Sequence, residues 1–322
     1  MRAVVVQRNG GPEVLLPTEA DPPEPGASQV LIDVVAAGVN YIDTYQREGR
    51  YPVPTPFVLG LEGAGTVRAV GAGVDGINVG DRVAWKQGLG SYAEQVVIPA
   101  EEAIPVPDGV DLELAAAAVL QGLTAQYLAT STYTVQPGDW VVVHAAAGGV
   151  GALLTQVVKL RGGNVLATVS TPEKGEVARA AGADEIASYE DFADRARELT
   201  GGVGVACVYD GVGRTTFDSS LDALRIRGMM ALFGAASGPV PPFDPQILNS
   251  KGSLFLTRPT LGHYTRDRAE LIGRTTELMD WIATGKVEVR IGHRYPLDEA
   301  RQAHEDLQGR RTTGKLLLIP GQ

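Results

Sequence analysis

The chain has 322 residues, 44 % of them apolar, with 40 glycines, 20 prolines and a net charge of −10. That length points to two domains, or one domain with an insertion, and the apolar content suffices for sizeable cores. The acidic balance disfavours nucleic-acid partners; the one cysteine, Cys207, excludes an intrachain disulfide and a cysteine zinc cluster; and every apolar run falls far short of the ~18 residues a membrane span needs.

The opening MRAVVVQRNG alternates like a strand and lacks the charged-then-apolar layout of a secretory leader, so a cytoplasmic location is expected. Residues 1 to about 110 read as β-rich. RAVVVQ, QVLIDVVAAGV, GAGTVRAVG, DRVAW and YAEQVVI are short β-branched runs punctuated by Gly, Pro and Asp, a spacing that predicts a small barrel-like antiparallel domain. LELAAAAVLQGLTAQYLATS, from about 112 to 131, predicts a helix. Strand-like and helix-like segments then alternate, from DWVVVHA and GVGALLTQVVKLRG to GMMALFGAA and GSLFLTR. About six βα units of this kind predict a doubly wound α/β domain on a parallel sheet. Two amphipathic helices and the strand KLLLIP follow, the second helix carrying Asp298 near its start. The expected plan is a β-rich domain of residues 1–123 and 260–322 interrupted by a nucleotide-binding domain of residues 124–259.

The stretch HAAAGGVGALLTQVVK has an unusually bare backbone. A strand runs into Ala145-x-x-Gly148-x-x-Gly151, and a helix begins at once. Small residues let the backbone approach a pyrophosphate, and the helix N-terminus points N–H groups and a positive dipole at it. Ala145, Gly148, Gly149, Val150 and Gly151 are therefore candidate cofactor residues; the alternative is a tight turn with no ligand. An NAD site carries Asp or Glu about 20 residues further on, at the next strand tip. Here that tip reads Ser170-Thr171-Pro172, and Lys174 follows. A hydroxyl and an ammonium suit a 2′-phosphate, which favours NADPH. Lys174 could instead be a solvated helix residue, and Glu173 beside it counts slightly against the assignment.

The whole chain resembles the medium-chain dehydrogenase/reductase superfamily, and within it the zeta-crystallin-like NADPH:quinone oxidoreductases. The resemblance rests on GVNYIDTYQREGRYP, GLEGAGTV, QGLTAQYL, HAAAGGVG, YDGVG, LFGAASG and KGSLFLTRP, in order along nearly the full length. It implies a GroES-like barrel domain joined to a Rossmann domain with a six-stranded parallel sheet. Zinc members of the superfamily place a cysteine at the position of Asn40 and a histidine at that of Leu61, and carry a four-cysteine lobe absent here. Asn and Leu cannot replace thiolate and imidazole around zinc. The histidines, at 144, 263, 293 and 304, show no ligand spacing. No metal is expected, which leaves hydride transfer without a Lewis acid, and a quinone, already electrophilic, suits that chemistry.

The same resemblance assigns the remaining candidates. Asn40, Tyr45 and Tyr51 match pocket-lining positions. The amide of Asn40 could donate to a quinone oxygen or cap a loop, and the tyrosines could stack on the ring or pack in the core. Asp43 is expected to bond local backbone or the nicotinamide-side loop. Thr124 and Tyr127 would lie near the cofactor, Tyr189 beside the adenine phosphate, and Phe233, Gly234, Leu256 and Thr257 along the nicotinamide. Arg258 and Lys315 could reach cofactor phosphates or substrate, or form salt bridges. His144 and Cys207 read as core. The expected activity is reduction of a quinone or another small electrophilic acceptor in the cleft between the domains. The alternatives are an enone or alkenal reductase, or a non-catalytic NADPH-binding protein. The apolar segment GSLFLTR reads as an edge strand through which a homodimer forms.

Overall fold

A computed structural model describes residues 1–321 and divides into two compact units. The first holds Met1–Leu120, Asp267–Gly285 and the residues from Val289 on; the second holds Gln121–Arg266 and Lys286–Glu288.

In chain order the first unit begins with β1 (Arg2–Val6), β2 (Leu15–Glu19), β3 (Gln29–Val39), α1 (Tyr41–Arg47) and β4 (Phe57–Val58). It continues with β5 (Glu62–Val70), β6 (Arg82–Trp85), β7 (Gln95–Pro99) and β8 (Ile104–Pro105). The unit boundary falls inside α2 (Leu112–Tyr127). The second unit then alternates: β9 (Trp140–Val143), α3 (Gly149–Leu160), β10 (Asn164–Thr168), α4 (Pro172–Ala180), β11 (Glu185–Ala187) and α5 (Phe192–Leu199). It ends with β12 (Val205–Asp210), α6 (Phe217–Ala223), β13 (Leu224–Leu232), α7 (Gln246–Ser250) and β14 (Phe255–Thr257). The chain returns to the first unit with α8 (Arg268–Ala283), β15 (Ile291–Pro296), α9 (Ala300–Gln308) and β16 (Lys315–Ile319).

The first unit is built around β3, which pairs antiparallel with β5, β7 and β16 in a seven-stranded sheet. A smaller sheet, β2-β1-β4, completes it. Val4, Ile32, Leu59, Trp85, Ile98 and Leu318 share one buried core between these sheets. One pair departs from the antiparallel expectation: β15 and β16 run parallel. Parallel neighbours need a crossover rather than a hairpin, and α9 supplies it.

In the second unit six strands run parallel in the order β11-β10-β9-β12-β13-β14. Central strands such as VACVYD are buried along their whole length, as a sheet covered on both faces requires. The chain reverses direction across the sheet between β9 and β12, and loops at the carboxyl ends of the strands beside such a switch form a ligand crevice. β14 is an edge strand, as its sequence suggested.

The Ala-rich helix is shorter than its composition implied. The α-helix stops at Tyr127, and Leu128–Thr132 continue as a wider π-turn. Thr130 explains part of this, because its hydroxyl donates to the Gln126 carbonyl at 2.8 Å and competes with the regular ladder. Among the described residues, no helix is long and apolar enough to cross a membrane.

Candidate active site

The glycine loop connects the buried strand β9 to α3. Ala145 sits there at φ +50°, a left-handed conformation that costs a non-glycine residue about 1–2 kcal/mol. The Gly148 N–H donates to the Ala145 carbonyl at 2.8 Å, which turns the chain into α3. Gly148 is the N-cap of that helix and, having no side chain, provides no capping acceptor. The first-turn N–H groups, from Gly149, Val150 and Gly151, therefore have no intrahelical partner and present a positive dipole end. Gly151 is required on steric grounds: a Cβ there would come 2.7 Å from the Ala146 Cα. The helix can seat this close only on a bare backbone, and such a cradle fits a pyrophosphate.

The neighbouring strand tips carry the other candidate residues. Beyond β10, Thr171 caps α4 through its hydroxyl, which accepts from the Lys174 N–H, and Pro172 starts the helix. The Lys174 ammonium donates to the Ser170 hydroxyl at 3.3 Å, so the two residues singled out for a 2′-phosphate stand together. Tyr189, just past β11, accepts the Ala145 N–H on its hydroxyl at 3.2 Å and braces the strained residue of the loop. At the tip of β12 the Asp210 carbonyl accepts the Phe233 N–H at 2.8 Å, bringing Phe233 and Gly234 against Gly211. Leu256 and Thr257 lie on β14, and Arg258 follows, its guanidinium bonded to the Pro259 carbonyl at 3.4 Å.

Thr124 and Tyr127 are both buried in α2. The Tyr127 ring stacks on Tyr264 at 4.3 Å and 10°, and burial raises the pKa of its phenol. The structure shows this ring packed against Tyr264.

In the first unit, a buried polar cluster lies where β3 runs into α1. The Lys315 ammonium, on β16, contacts the Glu62 carboxylate and donates to Asn40 Oδ1 at 2.8 Å. The Asn40 amide donates to Glu62 Oε1 at 2.5 Å, and the Leu120 N–H donates to Glu62 Oε2 at 2.9 Å. Lys315 is 1 % exposed, and of its two expected roles the structure shows the salt bridge, though a buried one: the ammonium neutralises Glu62 and does not extend to a phosphate. Asn40, 5 % exposed, is likewise engaged with Glu62 and Lys315 where a quinone oxygen had been expected.

Asp43 bonds local backbone: its Oδ2 accepts the Asn40 N–H at 2.7 Å and the Tyr92 hydroxyl at 2.9 Å. Behind it, Tyr92 meets His304 Nε2 at 3.1 Å, and Arg47 donates to His304 Nδ1 at 2.9 Å. Burial, then the adjacent guanidinium, pushes the imidazole down to about 3. With Nδ1 held as an acceptor by a permanent cation, this chain of bonds is a strut rather than a proton path. Tyr45 and Tyr51 form an edge-to-face pair with centroids 5.5 Å apart, and Tyr51 is 44 % exposed, so it is not core.

Comparison with known proteins agrees with both halves of this geometry. Residues 26–108 match the alcohol dehydrogenase GroES-like domain, and residues 149–283 match the zinc-binding dehydrogenase family. A quinone oxidoreductase of Pseudomonas aeruginosa is 47 % identical, with 97 % of each chain covered. The chain belongs to the quinone oxidoreductase branch of the medium-chain dehydrogenases/reductases. A mycobacterial structure complexed with NADPH is 52 % identical and superposes with a TM-score of 0.97 over 99 % of this chain and 100 % of that one. A 2-haloacrylate reductase from Burkholderia is 42 % identical, over 99 % of this chain and 98 % of its own.

In this quinone oxidoreductase family member, Glu62, Tyr92, Arg47 and His304 join the cluster although sequence reasoning passed them over. Only Glu62 left a signal, as a lone acid inside the apolar run VLGLEGAG. Among the described residues, no group of three or more His, Cys, Asp or Glu has the arrangement to hold a metal ion.

Burial lifts the Asp43 carboxyl from its ordinary 3.8 to about 7, against the pull of the Asn40 N–H, the Tyr92 hydroxyl and Lys315. Its Oδ1 has no hydrogen-bond partner, so the ionised form is only half satisfied. A carboxyl raised in this way favours folding fully below pH ~4, and that contribution is lost as pH rises through about 7. Urea denaturation of wild type and Asp43→Asn should therefore show the variant gaining relative stability from pH ~4 to about 7, with a plateau above. A flat difference would mean that folding does not shift this carboxyl, and a falling one that the folded chain prefers the charged carboxylate.

Proposed function

We propose that this chain reduces quinones with NADPH and without a bound metal. NADPH supplies the hydride; the protein binds it, orients the reactants and excludes water. The observation that carries the nucleotide assignment is the Ser170–Lys174 pair, joined at 3.3 Å on a strand tip that bears no acid. A 2′-phosphate there gains a charge-assisted bond, and the α3 N-terminus takes the pyrophosphate. Ala145, Tyr189, Phe233, Gly234, Leu256, Thr257 and Arg258 line the strand tips through which the nucleotide would run.

Quinone as acceptor is supported by the kinship with quinone oxidoreductases and by Tyr45 and Tyr51. Their edge-to-face pair, partly open to solvent, offers a flat ring an aromatic surface and hydroxyl donors. Operation without a metal is supported by the cluster at Asn40. The Lys315 ammonium already neutralises Glu62 there, and a second cation would meet its repulsion. A cytoplasmic setting fits a chain whose single cysteine is buried and unpaired.

The 2-haloacrylate reductase among the relatives favours a second reading, hydride addition to a conjugated acid or enone. NADPH consumption with a quinone and with a 2-haloacrylate separates the two. We expect the quinone to be turned over faster; consumption with the haloacrylate alone would select the second reading, and tight NADPH binding with neither would leave a binding protein. In the same assay Lys174→Ala should raise the KM for NADPH about ten- to a hundredfold, the worth of a ~1.5–3 kcal/mol charged bond, and leave that for NADH nearly unchanged. Equal effects on both nucleotides would remove the 2′-phosphate assignment.

The homodimer belongs to the same proposal. β14 is an open edge, with Phe255 56 % and Ile226 73 % exposed beside it. Pairing two such edges about a twofold axis covers both. Light scattering at low micromolar concentration should give the mass of two chains, and Phe255→Asp should halve it. A wild-type monomer at that concentration would count against the pairing.

A further inference from the structure

His144 follows β9 directly, and its imidazole is 1 % exposed. It is not simply core. Its Nδ1 lies 2.8 Å from the hydroxyl of Thr168, the last residue of β10. Its Nε2 lies 2.9 Å from the hydroxyl of Ser220 on α6. Ser220 donates in turn to Asp210 Oδ2 at 3.2 Å, at the tip of β12. The other Asp210 oxygen accepts the N–H groups of Val212 at 2.7 Å and Gly213 at 2.9 Å, which fixes the loop after that strand.

These bonds have one consistent direction. The Asp210 carboxylate can only accept, so Ser220 donates to it and takes its own hydrogen bond from Nε2–H. Nδ1 is then an acceptor, and Thr168 donates to it. Burial keeps the ring neutral, as this arrangement requires. One imidazole thus ties together the tips of β10, β9 and β12, three adjacent strands of the sheet. The phosphate loop starts at the next residue, Ala145, and Ser170 lies two residues beyond Thr168.

We propose that His144 is a positioning residue for NADPH selectivity: through Thr168 it sets where Ser170 and Lys174 stand relative to the phosphate loop. This rests on the nucleotide assignment above. Loss of the His144–Thr168 bond leaves the β10 tip held to the phosphate loop by main chain alone, the Ala146 N–H on the Thr168 carbonyl at 3.2 Å, and the small shift this allows misplaces the groups that would hold the 2′-phosphate. NADH, lacking that phosphate, is far less sensitive to the shift.

The test uses Thr168→Val, which keeps the shape and removes the hydroxyl, and Thr168→Ser, which keeps the hydroxyl. Dissociation constants for NADPH and NADH are measured by titration, together with kcat at saturating NADPH. Thr168→Val should weaken NADPH about tenfold, the worth of one buried hydrogen bond, and NADH less than about twofold, with kcat little changed. Thr168→Ser should restore the wild-type preference. If Thr168→Val does not fold, Thr168→Ala, which admits water to Nδ1, carries the same comparison. Equal weakening of both nucleotides, or a lowered melting temperature with full NADPH preference, would overturn the proposal. A wild type with no NADPH preference would instead fail the nucleotide assignment itself, before any variant is compared.

Discussion

A buried ammonium needs a partner, and much of the first unit is arranged around that requirement. Lys315 on β16 reaches Glu62 on β5 and Asn40 at the start of α1, so one charge fastens three separate segments. Removing one member of such a pair leaves the other uncompensated in a dry interior, at a cost of about 3–5 kcal/mol. The arrangement extends beyond the pair. Asn40, once fixed, presents its N–H to Asp43, Asp43 engages Tyr92, and Tyr92 meets His304, which burial and then Arg47 keep neutral. These side chains form a support for the turn that leads to Tyr45 and Tyr51, with Asp43 the member whose charge changes near neutral pH.

The second unit works by a different physics. It presents few charged side chains to a nucleotide and relies on backbone geometry at the ends of parallel strands. The helix following β9 offers N–H groups and no cap of its own, and the strained Ala145 is braced by the Tyr189 hydroxyl. On the proposed reading, selectivity is added locally, by one hydroxyl and one ammonium that stand together on the next tip. The two units divide the work: one binds by exposing main chain, the other is held in shape by buried charge.

What could be read from the chain alone follows the same division. The alternation of strands and helices and the turn from Ala145 to Gly151 into a helix are local patterns and are present as read, and Ser170 and Lys174, four residues apart, do stand together. The partner of Lys315 lies 253 residues away, and no local pattern announces it. The parallel pairing of β15 with β16, the stacking of Tyr127 on Tyr264, and the bridge from His144 to Thr168 likewise depend on tertiary neighbours. His144 shows the difficulty well. Inside an apolar run it reads as core, and it is buried, yet each ring nitrogen has a directed polar partner that only the sheet order supplies.

The position of β16 in the chain has a consequence for biosynthesis. It pairs with β3, and the segment that supplies it emerges only after every residue of the second unit. On the ribosome the nucleotide-binding unit can complete its sheet while the first unit still lacks a strand and Glu62 still lacks its counter-charge. Domains usually fold in the order of synthesis; here the unit that begins first must finish last. A nascent chain stalled before Lys315 would carry an incomplete sheet and an unneutralised carboxylate.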